Sequence, residues 1–521
     1  MQDNQQIHLL KKSRKTFFEL IFSRLTILFI LLILQVLFLL SCFAWFKEFM
    51  PHILGGTTIF TIFMVLYIFS SDVNATEKMT WLILIMIMPI TGGMFYIYTK
   101  SEVGHRLLSK TSAAITKTST NTLKIDENLE QEIKAKVPAL ANLNTYVNRQ
   151  GNYPICDHTS VEYYPLGEEK FKDLLKELEQ AHDFIFMEYF IIEEGKMWGS
   201  ILQILADKAK EGVDVRVMYD GTCEFSTMPN NYPKLLEGLG IKCKIFAPVT
   251  MFLSTHYNYR DHRKICVIDG KTAFNGGVNL ADEYINEYAI HGHWKDVAIK
   301  LKGPAVDNLT VMFLNMWNMS EVKKEDYSAY INRYDLQAAN GYVMPYGDNP
   351  LDNDKVGESV YMDILNHANH YVYIMTPYLI LDGELEGAIK YCAERGVDVR
   401  LILPGIPDKL APYALAKSHY QPLINAGVKI YEYTPGFVHA KVFLSDDIVG
   451  VVGTINLDYR SLYHHFECAT YMYGTSCLKD IKDDFNATLK KCHEVNHSDI
   501  KKEPFMMKIY GFLLKVIAPL M

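Results

Sequence analysis

The chain has 521 residues, 49% of them hydrophobic, and a formal net charge of −8 at neutral pH. That length leaves room for two or three domains. The acidic balance argues against a nucleic-acid partner, because such proteins usually carry a basic footprint. The nine cysteines have no paired or metal-like spacing, so the expectation is free buried thiols in a reducing compartment, with Cys266 and Cys468 inside strands.

Residues 1–24 are polar and basic, with Lys11, Lys12, Arg14, Lys15 and Arg24. Three uncharged apolar runs follow in the region 25–100, at 25–46, 53–69 and 79–98, and they read as membrane spans, the second at the short end of the range. The first run is long and has no clear small-residue cleavage site, unlike a signal peptide. Pro89 and the Gly92-Gly93 pair predict a tolerated kink with close helix packing. Basic residues precede the first run and follow the third, at Lys100, His105, Arg106, Lys110 and Lys117. Both clusters favour the cytoplasmic side. The expectation is a multi-pass protein of the cell membrane with its catalytic region on the cytoplasmic face. That needs an even number of spans, and the short second run could be re-entrant.

Residues 101–150 read as a connector that packs on the main domain. From Tyr153 onward short apolar runs alternate with amphipathic stretches. Phe184–Ile192 predicts a buried strand, Trp198–Lys210 a helix and Val213–Tyr219 a strand, which is β-α-β text. The order returns as strand Tyr371–Ile380, helix Leu385–Glu394 and strand Val397–Leu403. EGVDVR at 211–216 and RGVDVR at 395–400 are near-copies, so the chain contains two homologous halves. The halves are expected at 151–320 and 342–495, joined by a polar linker at 321–341 and followed by an amphipathic tail at 496–521. In this reading Glu188 of MEYF matches Pro377 of TPYL. The tail could lie on a membrane surface or pack against the domain.

Each half holds one copy of a motif. His262, Lys264, Asp269, Gly277 and Asn279 form the first, and His439, Lys441, Asp446, Gly453 and Asn456 the second. Each reads His-x-Lys, four residues, Asp, then glycine and asparagine. Residues two apart on a strand share a face, which puts each histidine beside its lysine. Asp269-Gly270 signals a hairpin turn. Glycine near the asparagine leaves room for a ligand to approach. Two copies facing each other would offer paired imidazoles, ammonium groups and carboxamides, a set suited to a phosphodiester. Lysines neutralise the anion, amides donate to its oxygens, one histidine attacks phosphorus and the other protonates the leaving alcohol. Asp296 in WKDVAI and Glu467 in FECATY sit in later strand-like stretches, where a carboxylate could fix an imidazole tautomer. The expected pairs are Asp296 with His262 and Glu467 with His439.

Both segments resemble the paired HKD motifs of the phospholipase D superfamily, and the chain is more narrowly similar to bacterial cardiolipin synthases of that type. EYFIIEEG (188–195), GVDVRVMYDG (212–221), NGGVNLADEY (275–284), GVDVRLILPG (396–405) and GTINLDYRSL (453–462) carry the likeness. It implies an α/β fold of two phospholipase D-like halves behind N-terminal transmembrane helices. It also implies conversion of two phosphatidylglycerols into cardiolipin and glycerol through a phosphatidyl-histidine, with no metal or other cofactor. The implied catalytic set is His262, Lys264, Asp269, His439, Lys441 and Asp446, with His262 as nucleophile. Asn279, Asn456, Gly277 and Thr454 would bind the phosphate. The alternatives are a membrane-bound phospholipase D, a phosphatidyltransferase using another alcohol, and, against the acidic balance, a nuclease.

Overall fold

The first half forms a seven-stranded sheet. Its strands are β1 (Ser160–Tyr164), β2 (Phe184–Tyr189), β3 (Asp214–Asp220), β4 (Lys242–Phe246), β6 (Lys264–Ile268), β7 (Thr272–Gly276) and β9 (Ala298–Lys302), while β5 (Arg260–Asp261) and β8 (His293–Lys295) stand outside it. The sheet order is β1-β9-β7-β6-β2-β3-β4. Strand β2 is buried at every residue, as expected of a strand covered on both faces. The second half contributes β10 (Tyr342–Asp348), β11 (Tyr371–Met375), β12 (Asp398–Pro404), β13 (Lys429–Tyr433), β14 (Gly436–Val438), β15 (Val442–Ser445), β16 (Val449–Gly453), β17 (His465–Tyr473) and β18 (Cys492–Val495). Its order, β10-β17-β16-β15-β11-β12-β13-β18, repeats the first with one strand added. One hydrophobic core includes residues from both halves, such as Ile265, Val267, Val451 and Ala469. The near-copies GVDVR start β3 and β12, where Arg216 pairs with Asp214 at 2.7 Å and Arg400 with Asp398 at 2.6 Å.

The computed structural model describes residues 56–520 except 72, 101–102, 120–121, 230, 249–258, 322–324 and 353, together with residues 37 and 41. The basic segment 1–24 and the first apolar run, save Leu37 and Ser41, lie outside the described residues. The second run forms the helix Gly56–Phe69, and the third divides at Pro89 into helices Ala75–Ile87 and Pro89–Lys100. Helices of this length reach about 20 Å, against a hydrocarbon core of about 30 Å. Among the described residues no helix is long and apolar enough to cross a membrane. The kink at Pro89 is a full break. Close packing does occur at the glycine pair, where a Cβ on Gly93 would meet the Phe60 ring at 2.6 Å.

These helices attach to the second half. Asn74 donates to the Tyr463 hydroxyl at 2.8 Å, and Thr80 donates to the Val516 carbonyl at 2.8 Å. Val516 belongs to the tail helix Phe505–Ile517, which packs Leu514 against Ala414 and Leu415 of helix Leu410–Asn425. Gly511 is required there, since a Cβ would meet the Ala414 carbonyl oxygen at 2.4 Å. The tail thus packs on the domain with one side and exposes Phe505, Met506, Phe512 and Leu513 on the other. The segment before the first sheet is helical at Val103–Ser119, Glu127–Lys136 and Pro138–Gly151, and Tyr146 donates to Ser359 at 3.0 Å.

Strand register aligns the halves residue by residue. Ile185 lies opposite Ile268, one residue before Asp269, and Val372 lies opposite Ser445, one residue before Asp446. Glu188 therefore matches Met375 and not Pro377, because the hairpins are in register and the surrounding text is offset by two. Both hairpins turn through positive φ, at Asp269 (55°) and Gly270 (66°), and at Asp446 (54°) and Asp447 (58°). The motif aspartates explain how a non-glycine residue is held there. Asp269 accepts backbone N–H bonds from His182, Asp183 and Phe184 at 2.8–2.9 Å. Asp446 accepts from Asn369, His370 and Tyr371 at 2.6–2.9 Å. Each lies five strand residues, about 16 Å, from its lysine. Asp269 and Asp446 thus anchor β2 and β11. Replacing either by Ala strands three backbone donors and should lower stability by about 2–3 kcal/mol. Denaturant titration should show that loss, while the folded fraction keeps its specific activity. A folded variant with abolished turnover would return the residue to the chemistry.

Candidate active site

Two short strand exchanges build the site. β5 pairs parallel with the start of β17, matching Arg260 with His465 and Asp261 with Phe466. β14 pairs parallel with β8, matching Phe437 with Trp294 and Val438 with Lys295. The backbone N–H of the next residue continues each pairing: His262 donates to the Phe466 carbonyl at 2.9 Å, and His439 to the Lys295 carbonyl at 2.7 Å. Each motif histidine therefore emerges against the other half of the molecule.

The imidazole partners follow from this exchange. His262 Nδ1 lies 2.8 and 2.9 Å from the two oxygens of Glu467, and His439 Nδ1 lies 2.6 Å from Asp296 Oδ2. A carboxylate only accepts, so each Nδ1 carries the proton and each Nε2 is left for a substrate. The expected pairing within each half is overturned. Asp296 holds His439 and Glu467 holds His262, because the exchanged strands carry each histidine across the interface.

The glycine and asparagine positions also take different roles from those expected. In register, Gly453 matches Gly276 and Thr454 matches Gly277, since Gly276 faces Ala298 and Gly453 faces Ala469. A Cβ on Gly277 would stand 2.1 Å from Asp296 Oδ1, so this glycine makes room for the carboxylate and not for a ligand. At the matching place Thr454 donates its hydroxyl to Glu467 and accepts the Cys468 N–H at 3.0 Å. Asn279 accepts the Ile191 N–H at 3.1 Å and donates to the Tyr284 hydroxyl at 2.7 Å, so both its ends are committed. Gly277, Thr454 and Asn279 thus brace the protein. Asn456 is buried, and its carbonyl oxygen has no partner.

Both lysines reach back over their histidines. Lys264 Nζ donates to the His262 carbonyl at 2.6 Å, and Lys441 Nζ lies 2.9 Å from His439 Nδ1. Burial lowers Lys264 to about 8 and Lys441 to about 7, and the charge of Lys264 adds to the shift of Lys441. Burial lowers His262 to about 3 and, with Lys441 and then Lys264 beside it, takes His439 well below its usual value. The Lys264 charge thus acts on both His439 and Lys441 of the second motif. Burial raises Asp296 to about 6. Burial opposes ionisation of Glu467 too, but the His262 contact holds it well below the usual carboxylate range.

Aromatic rings wall the site. Phe190 stands 4.9 Å from the His262 ring, and Tyr284 and Trp294 stand 5.4 and 5.5 Å from the His439 ring, measured between centroids. His465 stands 5.5 Å from His262. Behind the site Arg263 donates to the Glu467 carbonyl at 3.1 Å and faces Glu188 at 3.8 Å. Burial raises Glu188 well above its usual range, and takes Asp261 to about 6. None of Phe190, Trp294, Tyr284, His465, Arg263 or Glu188 was read from the sequence as part of the site. The signal for two was available: Trp294 and His465 each lie two residues before a carboxylate. Among the described residues two groups have the donor atoms for a metal ion, His262 with His465 and Glu467, and Glu358 with Asp382 and Glu384. The first would take the imidazole that the chemistry needs.

Paired halves with exchanged imidazole–carboxylate contacts define a phospholipase D-like enzyme. The family profile described as cardiolipin synthase, PLD-like domain, matches residues 174–317 and 361–489. An uncharacterized protein of Streptococcus mutans is 54% identical over 462 residues, covering 88% of this chain and 99% of its own. The cardiolipin synthase of Alkalihalophilus pseudofirmus is 30% identical over 469 residues, covering 89% of this chain and 93% of its own. In fold, the crystal structure of a phosphatidylserine synthase from Haemophilus influenzae matches with a TM-score of 0.55 at 16% identity, covering 73% of this chain and 97% of that one. The chain belongs to the phospholipase D-like cardiolipin synthase family and is an enzyme of the phosphatidyltransferase class.

Two outcomes follow from this geometry. Replacing Glu467 by Gln or Asp296 by Asn should lower turnover roughly 10- to 100-fold, the scale for partners that orient a functional imidazole. Turnover within twofold of the parent in both would reduce the carboxylates to packing groups. The lowered lysines set the alkaline limb: kcat/KM should fall as pH rises through about 7 to 8, where Lys441 and then Lys264 lose their protons. Lys441→Arg keeps its charge and should move that limb upward. An alkaline limb that does not respond to this substitution would assign it elsewhere.

Proposed function

We propose that this enzyme joins two phosphatidylglycerol molecules into cardiolipin and releases glycerol, through a phosphatidyl group held on His262. The observation that carries the reading is the pair of imidazoles with Nδ1 fixed by Glu467 and Asp296 beside two buried lysines. His262 Nε2 attacks phosphorus and forms the P–N bond, while the glycerol oxygen leaves with a proton from His439. The second lipid's hydroxyl then gives its proton to His439 and attacks phosphorus, and the P–N bond breaks. Glu467 suits His262 to the nucleophile's part: both carboxylate oxygens face the ring that becomes positive when phosphorylated. Lys441 beside His439 makes that imidazole, once protonated, a stronger acid. The phosphodiester's negative charge supplies the attraction that protonates it.

The lipid substrate fits the exposed apolar surface. Ile59, Ile62, Phe63 and Leu66 of helix Gly56–Phe69, Met86 and Ile87 of the next helix, and Phe505, Met506, Phe512 and Leu513 of the tail are all exposed. Thr80 joins the two groups of helices through Val516. The proposal places this surface in the membrane, with the catalytic halves on its cytoplasmic side.

The test gives the full-length enzyme labelled phosphatidylglycerol in vesicles, with and without exhaustive chelation. Cardiolipin with equimolar glycerol, unaffected by the chelator, supports the reading. Phosphatidic acid as the main product would replace it with hydrolysis. Rapid quench of the parent enzyme should trap a phosphatidyl adduct on His262, and His439→Asn should slow its formation. An adduct on His439 instead would reverse the roles, and sequential kinetics with no adduct would remove the covalent step.

A further inference from the structure

The pseudo-twofold axis relates Trp294 to His465, because Phe437 pairs with Trp294 where Arg260 pairs with His465. Each ring stands 5.5 Å from one catalytic imidazole and lies two residues before the carboxylate that holds it. In the first half the position is an indole. In the second it is a histidine, 8% exposed, with neither ring nitrogen hydrogen-bonded. Its Nδ1 lies 3.7 Å from Glu467 Oε1, beyond hydrogen-bond reach, because His262 and Thr454 already occupy that carboxylate. Leaving a buried imidazole without a hydrogen bond is unfavourable unless something bonds to it. Packing alone does not call for the two nitrogens, since the indole at the matching place serves as a wall.

We propose that His465 is a third histidine of the catalytic site, donating a hydrogen bond to a non-bridging phosphoryl oxygen of the phosphodiester at His262. The ligand class is a phosphate diester anion, so this rests on the phosphoryl-transfer reading above, though on neither alcohol in particular. The reason for such a donor is on the page. Lys264 and Lys441 are lowered to about 8 and 7, so positive charge in the pocket is incomplete near neutral pH, and Asn279 is committed to the protein. An oriented N–H aimed at the place where charge grows makes up part of that shortfall. His465 lies beside the nucleophile, so its bond strengthens as the phosphoryl group transfers to His262. No bond is made or broken at His465, and it neither gains nor loses a proton.

The test compares His465→Phe, which keeps a ring and loses the donors, with His465→Asn, which keeps a donor, both as full-length protein in phosphatidylglycerol vesicles. The adduct on His262 is followed by rapid quench with His439 intact, because His439 protonates the glycerol that leaves as the adduct forms, and thermal midpoints confirm folding. His465→Phe should slow adduct formation about 100-fold, the low end for losing one oxyanion donor, with KM changed less than threefold, and His465→Asn should recover most of the rate. Parental rates in His465→Phe would overturn the proposal. Equal impairment of Phe and Asn with parental thermal midpoints would overturn it as well, by showing that ring shape and not donation matters. Absence of any product or adduct in the parent enzyme would instead remove the phosphoryl-transfer reading itself.

Discussion

The exchange of carboxylates between halves is the constraint on which the rest of this structure depends. His262 and His439 are buried, and so are Glu467 and Asp296. A carboxylate in such surroundings is tolerated only with a hydrogen-bonded partner, and removing one member of a buried charged pair costs about 3–5 kcal/mol. Each half supplies one imidazole and the acid for the other's imidazole. Neither motif is complete without its counterpart, so catalysis and the assembly of the two halves are one requirement. The strand exchanges β5–β17 and β14–β8 are how the chain meets it: two or three backbone pairings fix the height at which each histidine meets its acid.

The burial that makes these contacts strong also lowers the lysines and histidines. It takes both imidazoles below their usual range and the lysines to about 8 and 7. An arriving phosphodiester reverses the balance, because its charge favours every protonated neighbour.

Much of the fold was legible because its signals are local. GVDVR starts β3 and β12 through an Arg–Asp pair two residues apart, and Asp-Gly and Asp-Asp turn the two hairpins. The predicted strands and helices at 184–220 and 371–404 match the observed ones to within a few residues, except that Tyr371–Ile380 ends at Met375. The sequence placed Asp296 and Glu467 in strand-like stretches, but not against the imidazole each one meets. That choice is made by the exchanged strands, whose pairing partners lie more than 140 residues away along the chain. The same gap explains Asp269, Asp446 and Gly277. Their recurrence marked them as useful, and only three-dimensional contacts show that the first two bind strand N–H groups while the last yields space to a carboxylate. The apolar N-terminal runs show another limit: hydropathy counts residues, but Pro89 divides a twenty-residue run into two short helices.

Duplication supplied two equal halves, and the differences between them tell what the chemistry needs. Where one carboxylate lies over Gly277, the other is gripped by Thr454. Asn279 bonds through both its oxygen and its nitrogen, whereas Asn456 keeps a free carbonyl. Trp294 closes the pocket beside His439, and an unpaired imidazole stands in its place beside His262. These departures accumulate around Glu467 and give its side of the pocket the ionised acid and the spare hydrogen-bonding groups. A symmetric site would let either imidazole attack. Divided labour requires one ring to be stabilised as a cation and the other to pass its proton on. In the proposed assignment, Glu467, with two oxygens on His262 and a hydroxyl behind, serves the first, and Lys441 against His439 Nδ1 serves the second.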